Sequence, residues 1–190
     1  MVRTAKVIRK TSETEITIEL NLDGSGDGKI DTGVKFLDHM LRLLAKHSNC
    51  DLEVKAIGDL THHIIEDIGI TLGECFQKAL GDKKGINRYG SALIPMDETL
   101  ARCALDFSGR NALVLNLNLN ECKIEDVAVE DITHFLTSFA ENAKMNLHIH
   151  ILYGEDQHHK VEAGIKALAR AIKQAKMIVS EDIPSTKGML

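Results

Sequence analysis

The 190-residue chain has no tryptophan, and only 4% of it is aromatic. That scarcity argues against the stacking platforms that hold single-stranded nucleic acid. An excess of positive charge is also missing. Against 23 lysines and arginines stand 28 acidic residues, a formal net charge of −5, the wrong sign for a basic nucleic-acid surface. No apolar run nears the roughly 20 residues of a bilayer span. The N-terminal residues 1–6 lead into patterned sequence without the apolar stretch of a signal peptide. The expected location is therefore the cytoplasm, with neither membrane nor nucleic acid as partner. The four cysteines, at 50, 75, 103 and 122, form no C-x-x-C pair. A zinc knuckle or thioredoxin-type site is not indicated, and the thiols are expected as small buried hydrophobes.

What the chain does have is histidine, nine in all, four of them in two adjacent pairs. It also has a repeat. Residues 5–21 read as two strands, with strict alternation at 16–20. A Gly/Asp-rich turn at 23–28 and a short strand at 29–31 follow. Helical spacing appears at 36–47, a strand at 52–56 and a second helix at 64–79. The second half repeats this order: strands at 91–96, 101–107 and 113–119, a helix at 129–143, a strand at 147–151 and a helix at 160–179, with a loop-like tail. Gly58-x-x-x-His62-His63-x-x-Glu66 matches Gly154-x-x-x-His158-His159-x-x-Glu162 at one constant offset of 96. The expected fold is α+β, an internal duplication of a unit of about 95 residues, with halves at 1–90 and 91–190 sharing one core.

The paired motifs carry chemistry. A helix turns about 100° per residue, so Glu66 can share a face with His62 or with His63, but the two histidines diverge and do not easily serve one ion. Single histidines lie in the preceding helices, His39 and His134, the latter one residue out of the constant offset. Together these give eight candidate metal ligands: His39, His62, His63, Glu66, His134, His158, His159 and Glu162. Shared between two ions, they would supply three imidazoles and one carboxylate each. That leaves octahedral positions open, which suits Mn²⁺ or Fe²⁺ better than a closed zinc site. A lone H-H-x-x-E could equally be a solvated helix N-terminus; two at fixed offset favour the metal reading. His148 and His150 read as a polar sheet face.

These motifs resemble the imidazoleglycerol-phosphate dehydratase family of histidine biosynthesis. The resemblance is carried by Arg9-x-Thr11-x-Glu13-Thr14, Leu22-Asp23-Gly24-x-Gly26, Phe36-Leu37-Asp38-His39-Met40-Leu41 and Thr61-His62-His63-x-x-Glu66-Asp67-x-Gly69. It continues through Arg88-Tyr89-Gly90, Met96-Asp97-Glu98, Asp106-x-Ser108-Gly109-Arg110, His158-His159-x-x-Glu162 and Ile183-Pro184-Ser185-Thr186-Lys187-Gly188. It implies two similar two-layer halves of the ribosomal protein S5 domain 2-like kind. It also implies two Mn²⁺ per active site and assembly into about 24 subunits with sites between subunits. The implied reaction is dehydration of imidazole glycerol phosphate to imidazole acetol phosphate, with the substrate ring held as an imidazolate by the two metals. No nucleophile is needed. Glu13 is the implied acid/base, with Asp97 and Glu98 as further candidates. Arg88, Arg110, Lys166, Ser185 and Lys187 match phosphate-contacting positions, and His47 is implied to touch substrate. For Lys166, an ordinary i,i+4 pair with Glu162 competes.

Overall fold

A computed structural model describes residues 3–190. The first half holds β1 (Thr4–Lys10), β2 (Thr14–Asn21), β3 (Gly28–Asp31), α1 (Lys35–Ser48), β4 (Asp51–Gly58) and α2 (Thr61–Leu80). The second holds β5 (Tyr89–Met96), β6 (Thr99–Asp106), β7 (Ala112–Asn116), a two-strand insertion β8 (Lys123–Ile124) and β9 (Val127–Ala128), α3 (Val129–Asn142), β10 (Asn146–Tyr153) and α4 (Gln157–Ala175). The sheet orders are β1-β2-β4-β3 and β5-β6-β10-β7, the same path drawn twice. In each, the third strand runs parallel to the last. A parallel pair needs a crossover, and α1 and α3 supply it.

Each strand buries one face. Along β2 the burial alternates, with Ile16, Ile18 and Leu20 inward and Glu15 and Glu19 outward, as the two-residue period of a half-covered sheet requires. The helices of each half cover that inner face, and the two helix layers pack on each other: α2 lies against α3, and α4 against α1. Phe76 of α2 joins the halves, its ring 5.3 Å from Phe139 of α3 and 6.5 Å from Phe107. Two glycines let α2 and α3 approach closely. A methyl on Gly69 would lie 2.8 Å from the Phe135 carbonyl oxygen, and one on Gly73 the same distance from that of Phe139.

The ends of the elements follow local chemistry. Asn49, at φ 53°, closes α1 in the left-handed conformation. The Asp156 side chain accepts from the backbone N–H groups of His158 and His159 and so starts α4. This helix stops at Ala175 rather than reaching 179, because Ile178 turns to bridge Ile86 in an antiparallel pair. The strand expected at 113–119 ends at Asn116. Cys50, Cys75 and Cys103 are buried as expected, and burial pushes the thiols of Cys75 and Cys103 up to about 12. Cys122, at the foot of the insertion, is exposed instead. No helix is long and apolar enough to cross a membrane among the described residues.

Candidate functional site

Helix pairing across the halves decides which histidines meet. On the α1–α4 side, His39, His158 and Glu162 converge, each offering a ligand atom within 4.8 Å of the others. The Nε2 atoms of His39 and His158 lie 3.1 and 3.3 Å from the same carboxylate oxygen of Glu162. Lys166, one turn on, takes the other oxygen at 2.5 Å. Burial works against the charge on Glu162, but the contacts from Lys166 and the two imidazoles outweigh it and hold the carboxyl at about 2. A cleft of about 360 Å³ opens beside this group, lined by Lys35, Phe36, His39, Glu125, Asp126 and His158.

The α2–α3 side repeats the theme. The His62 ring stands 5.1 Å from that of His134, as that of His158 stands 6.1 Å from His39. The one-residue slip in the repeat resolves here: Asp38 accepts from the Thr32 backbone N–H and hydroxyl, leaving His39 as the counterpart of His134. Glu66 is half-buried on the same helix and does not join a three-donor group. Where Glu162 has Lys166 four residues on, Glu66 has Ile70.

His63 and His159 stand outside both groups. His63 gives its Nδ1 to Asp59 at 2.8 Å, with Glu13 at 3.7 Å. His159 gives its Nδ1 to Glu98 at 2.8 Å, and its Nε2 lies 3.7 Å from Asp97. The bond that each imidazole donates to its neighbouring carboxylate raises the imidazole pKa above its ordinary value, and the His159 bond holds the Glu98 carboxyl well below the usual range. Glu13 and Glu98 thus occupy equivalent places, each in the turn between the first two strands of its half. The eight expected ligands therefore fall within one chain as a trio, a pair, and three that stand apart.

One regularity was missed in the sequence. In all four paired histidines, Nδ1 is held by a carboxylate: His62 by Asp131 at 2.6 Å, His63 by Asp59, His158 by Glu125 at 3.0 Å, and His159 by Glu98. That contact fixes the ring and leaves Nε2 as the outward nitrogen, the usual arrangement behind a metal-binding imidazole. Asp59 was open to discovery by its i,i+4 spacing to His63. Glu125 and Asp131 reach across elements, and spacing does not reveal them.

The cations expected at a phosphate scatter in role. The Arg88 guanidinium forks onto Asp106 at 2.7 and 3.1 Å and donates to the Pro184 carbonyl at 2.8 Å, so it ties the C-terminal segment to β6. Arg110 and Lys187 are exposed, and Ser185 is half-buried in a turn with the Lys187 backbone N–H bonded to its hydroxyl. His47 sits two turns beyond His39. Its pKa is lowered by burial and by the neighbouring charges of Lys166 and Arg170.

A family model described as imidazoleglycerol-phosphate dehydratase matches residues 32–172. The chain belongs to this family. The relative named imidazoleglycerol-phosphate dehydratase from Chlorobium phaeobacteroides is 50% identical over 192 residues, covering 100% of this chain and 96% of its own. That from Listeria monocytogenes serotype 4b is 51% identical over 193 residues, covering 99% and 100%. The crystal structure of the Staphylococcus aureus enzyme superposes with a TM-score of 0.85 at 38% identity, over 93% of this chain and 99% of that one. The Pyrococcus furiosus structure gives 0.83 at 36%, over 97% and 100%. The duplicated α+β fold is thus the family's fold, and the family's name is that of a hydro-lyase.

Proposed function

We propose that this chain removes water from imidazole glycerol phosphate to give imidazole acetol phosphate, the dehydration step of histidine biosynthesis that the family's name describes, and that it does so with two Mn²⁺ per site. The observation that supports the metal reading is the set of four Nδ1-anchored imidazoles together with the convergence of His39, His158 and Glu162. Two imidazoles and an ionised carboxylate within 4.8 Å are a fitting donor set for a divalent ion that takes nitrogen and oxygen. His39, His158 and Glu162 would hold one ion. His62 and His134, with Glu66, are the corresponding set of the other half, and His63 and His159 would complete sites with donors from another copy. Bound there, the ions supply Lewis acidity and a template for the substrate ring.

The chain's own groups do the rest. Lys166 keeps Glu162 ionised. Glu13 and its counterparts Asp97 and Glu98 stand at the surface beside His63 and His159, where a carboxylate can take up or return a proton. Arg110, Lys187 and Ser185 offer donors for the phosphate, while Arg88 fixes the segment that carries Ser185 and Lys187. Self-assembly into about 24 subunits is part of the same reading. It is supported by the position of the half-buried His63 and His159 outside either group in the single chain. The test is turnover of imidazole glycerol phosphate by purified protein stripped with chelator and resupplied with Mn²⁺, with particle size followed in parallel. Restored turnover with growth to a large particle is expected. Assembly without turnover, or turnover indifferent to the chelator, would overturn the reading.

A further inference from the structure

Two equivalent turns carry a carboxylate beside a histidine pair, and they are held in different ways. In the second half the carboxylate itself holds the turn. One oxygen of Glu98 accepts from the Thr99 hydroxyl at 2.9 Å and from the backbone N–H groups of Glu155 and Asp156 at 3.1 and 3.0 Å. The other oxygen accepts from His159 Nδ1 at 2.8 Å. Four bonds match the roughly four acceptor sites of a carboxylate. Glu98 is therefore a brace, with little left to offer a substrate.

In the first half that task falls to Asp67, which is buried at 8% exposure. One of its oxygens accepts from Arg9 Nε at 2.7 Å, and the other from the Thr14 hydroxyl. A buried carboxylate is costly unless its charge and its lone pairs are both answered, and here they are. Thr14 passes the hold along the turn. Its proton goes to Asp67, so its oxygen accepts from the Thr11 hydroxyl at 3.2 Å. The Thr11 oxygen in turn accepts from the backbone N–H groups of Glu13 and Thr14 at 3.1 and 3.0 Å. The Glu13 carbonyl accepts from the backbone N–H of Asp59 at 3.1 Å, the residue that also holds His63. There is no slack beneath the turn: a methyl on Gly58 would lie 3.0 Å from Cγ2 of Thr14 and 3.1 Å from the Glu13 carbonyl oxygen. The Glu13 carboxylate itself is left free. Among the described residues no donor is bonded to it, and His63 Nδ1 lies 3.7 Å away. Where α2 has Asp67, α4 has Ala163, and Thr99, lacking that partner, turns to Glu98.

We propose that Asp67 is the positioning residue for Glu13. It holds the turn through Thr14, so that the free carboxylate of Glu13, and not the committed one of Glu98, serves the reaction. The inference rests on the reading of this chain as a dehydratase with a carboxylate acid/base, and it narrows that reading to one residue.

The test uses the full-length assembled protein supplied with Mn²⁺. Asp67→Ala would strand the Arg9 charge and endanger the fold, so three milder variants serve. Thr14→Val keeps the shape and removes the donor, Thr14→Ser restores it, and Asp67→Asn keeps the size and one acceptor. Each is made alone and combined with Glu13→Gln. With Glu13 present, Thr14→Val and Asp67→Asn should lower kcat about 10- to 100-fold, the effect of displacing a reacting group by about 1 Å. KM should stay within about threefold, because substrate binding is not what they disturb. Thr14→Ser should remain within about threefold of wild type. In the Glu13→Gln background the same changes should cost no more than about twofold, since the group they act through is already gone. Amide exchange at residues 11–14 and 59 should quicken in metal-free Thr14→Val. Unchanged kcat, or the same fold loss with and without Glu13, would overturn the proposal and leave Asp67 a structural brace. If wild-type protein does not turn over imidazole glycerol phosphate, the proposed function fails; quickened exchange in Thr14→Val would still show Asp67 holding the turn, and unchanged exchange would overturn that too.

Discussion

Replacing Gly73 by alanine, and separately Gly164 by alanine, is expected to shift stability in opposite directions. Both glycines are buried inside long helices, α2 and α4. By helix propensity alone, either change is worth about 0.8–1 kcal/mol in favour of the folded state. At position 164 the new methyl meets Cγ2 of Ile149 at 3.6 Å and Cδ1 of Ile151 at 3.8 Å. Those are ordinary contacts, so the gain stands. At position 73 it meets the Asn142 Cβ at 2.7 Å and the Ala143 nitrogen and Phe139 oxygen at 2.8 Å. Main-chain atoms cannot rotate aside, so α3 must retreat by several tenths of an ångström. Overpacking costs about 1–3 kcal/mol. With rigid neighbours the upper part of that range applies, leaving a net loss of about 1–2 kcal/mol after the propensity gain. For a chain of this size each kcal/mol moves the midpoint by about 2–4 °C. Gly164→Ala should therefore melt about 2–4 °C higher and Gly73→Ala about 2–8 °C lower. The assay is thermal unfolding by circular dichroism, with protein and divalent-ion concentrations held fixed, because anything bound to the native state moves the midpoint. Two shifts of the same sign would refute the claim that main-chain proximity at the α2–α3 crossing decides the outcome.

Two further perturbations probe other parts of the fold. Burial opposes ionisation of Asp51, but the backbone N–H groups of Asp27, Ser25 and Gly26 and the Asn21 side chain outweigh it and hold the carboxyl below its ordinary range. Its contribution is thus full above about pH 4, near the unfolded value, and fades as the pH falls through the lower folded value. Asp51→Asn should cost about 1–2 kcal/mol at neutral pH and reduce the acid dependence of urea unfolding below pH 4; an unchanged acid limb would exclude this carboxylate. Arg88→Met leaves Asp106 without its partner, and both side chains are mostly buried, at 13% and 16% exposure. It should cost about 3 kcal/mol and release the segment after Ala175 to limited proteolysis; equal cleavage rates for variant and wild type would show that the tail is held by other contacts.

Much of this architecture is legible in the residue order, for definite reasons. Alternation at 16–20 and helical spacing at 36–47 report a buried face, and those elements are where the pattern puts them. The constant offset between the two H-H-x-x-E motifs reports the duplication. What periodicity cannot report is which helix covers which. That His62 meets His134 of the other half, and His158 meets His39, depends on the crossing of α2 with α3 and α4 with α1. The β8–β9 insertion escapes because strands of two residues have no period. Helix α4 reads too long because 176–179 remains apolar enough to continue the pattern while the chain has already turned to pair with Ile86. The hold of Asp67 escapes because its partners Arg9 and Thr14 lie 58 and 53 residues before it, and only the fold brings them together.

The crossed helix layers carry an evolutionary consequence. One half taken alone would be a sheet with an apolar helix face open to water, and the cover that fits it is another copy of the same half. Two identical copies related by a two-fold axis would close that face reciprocally. Each copy's adjacent histidines would then face the other's single histidine, as His62 faces His134 and His158 faces His39 here. Joining them in one chain removes the need for the copies to stay alike. That freedom is visible in the present sequence, where Lys166 braces Glu162 while Ile70 fills the corresponding place beside Glu66, and where Asp67, bound by Arg9 and Thr14, corresponds to Ala163. The two clusters thus hold equivalent places in the two halves with different neighbours, and substitutions exchanged between them would show what each neighbour contributes.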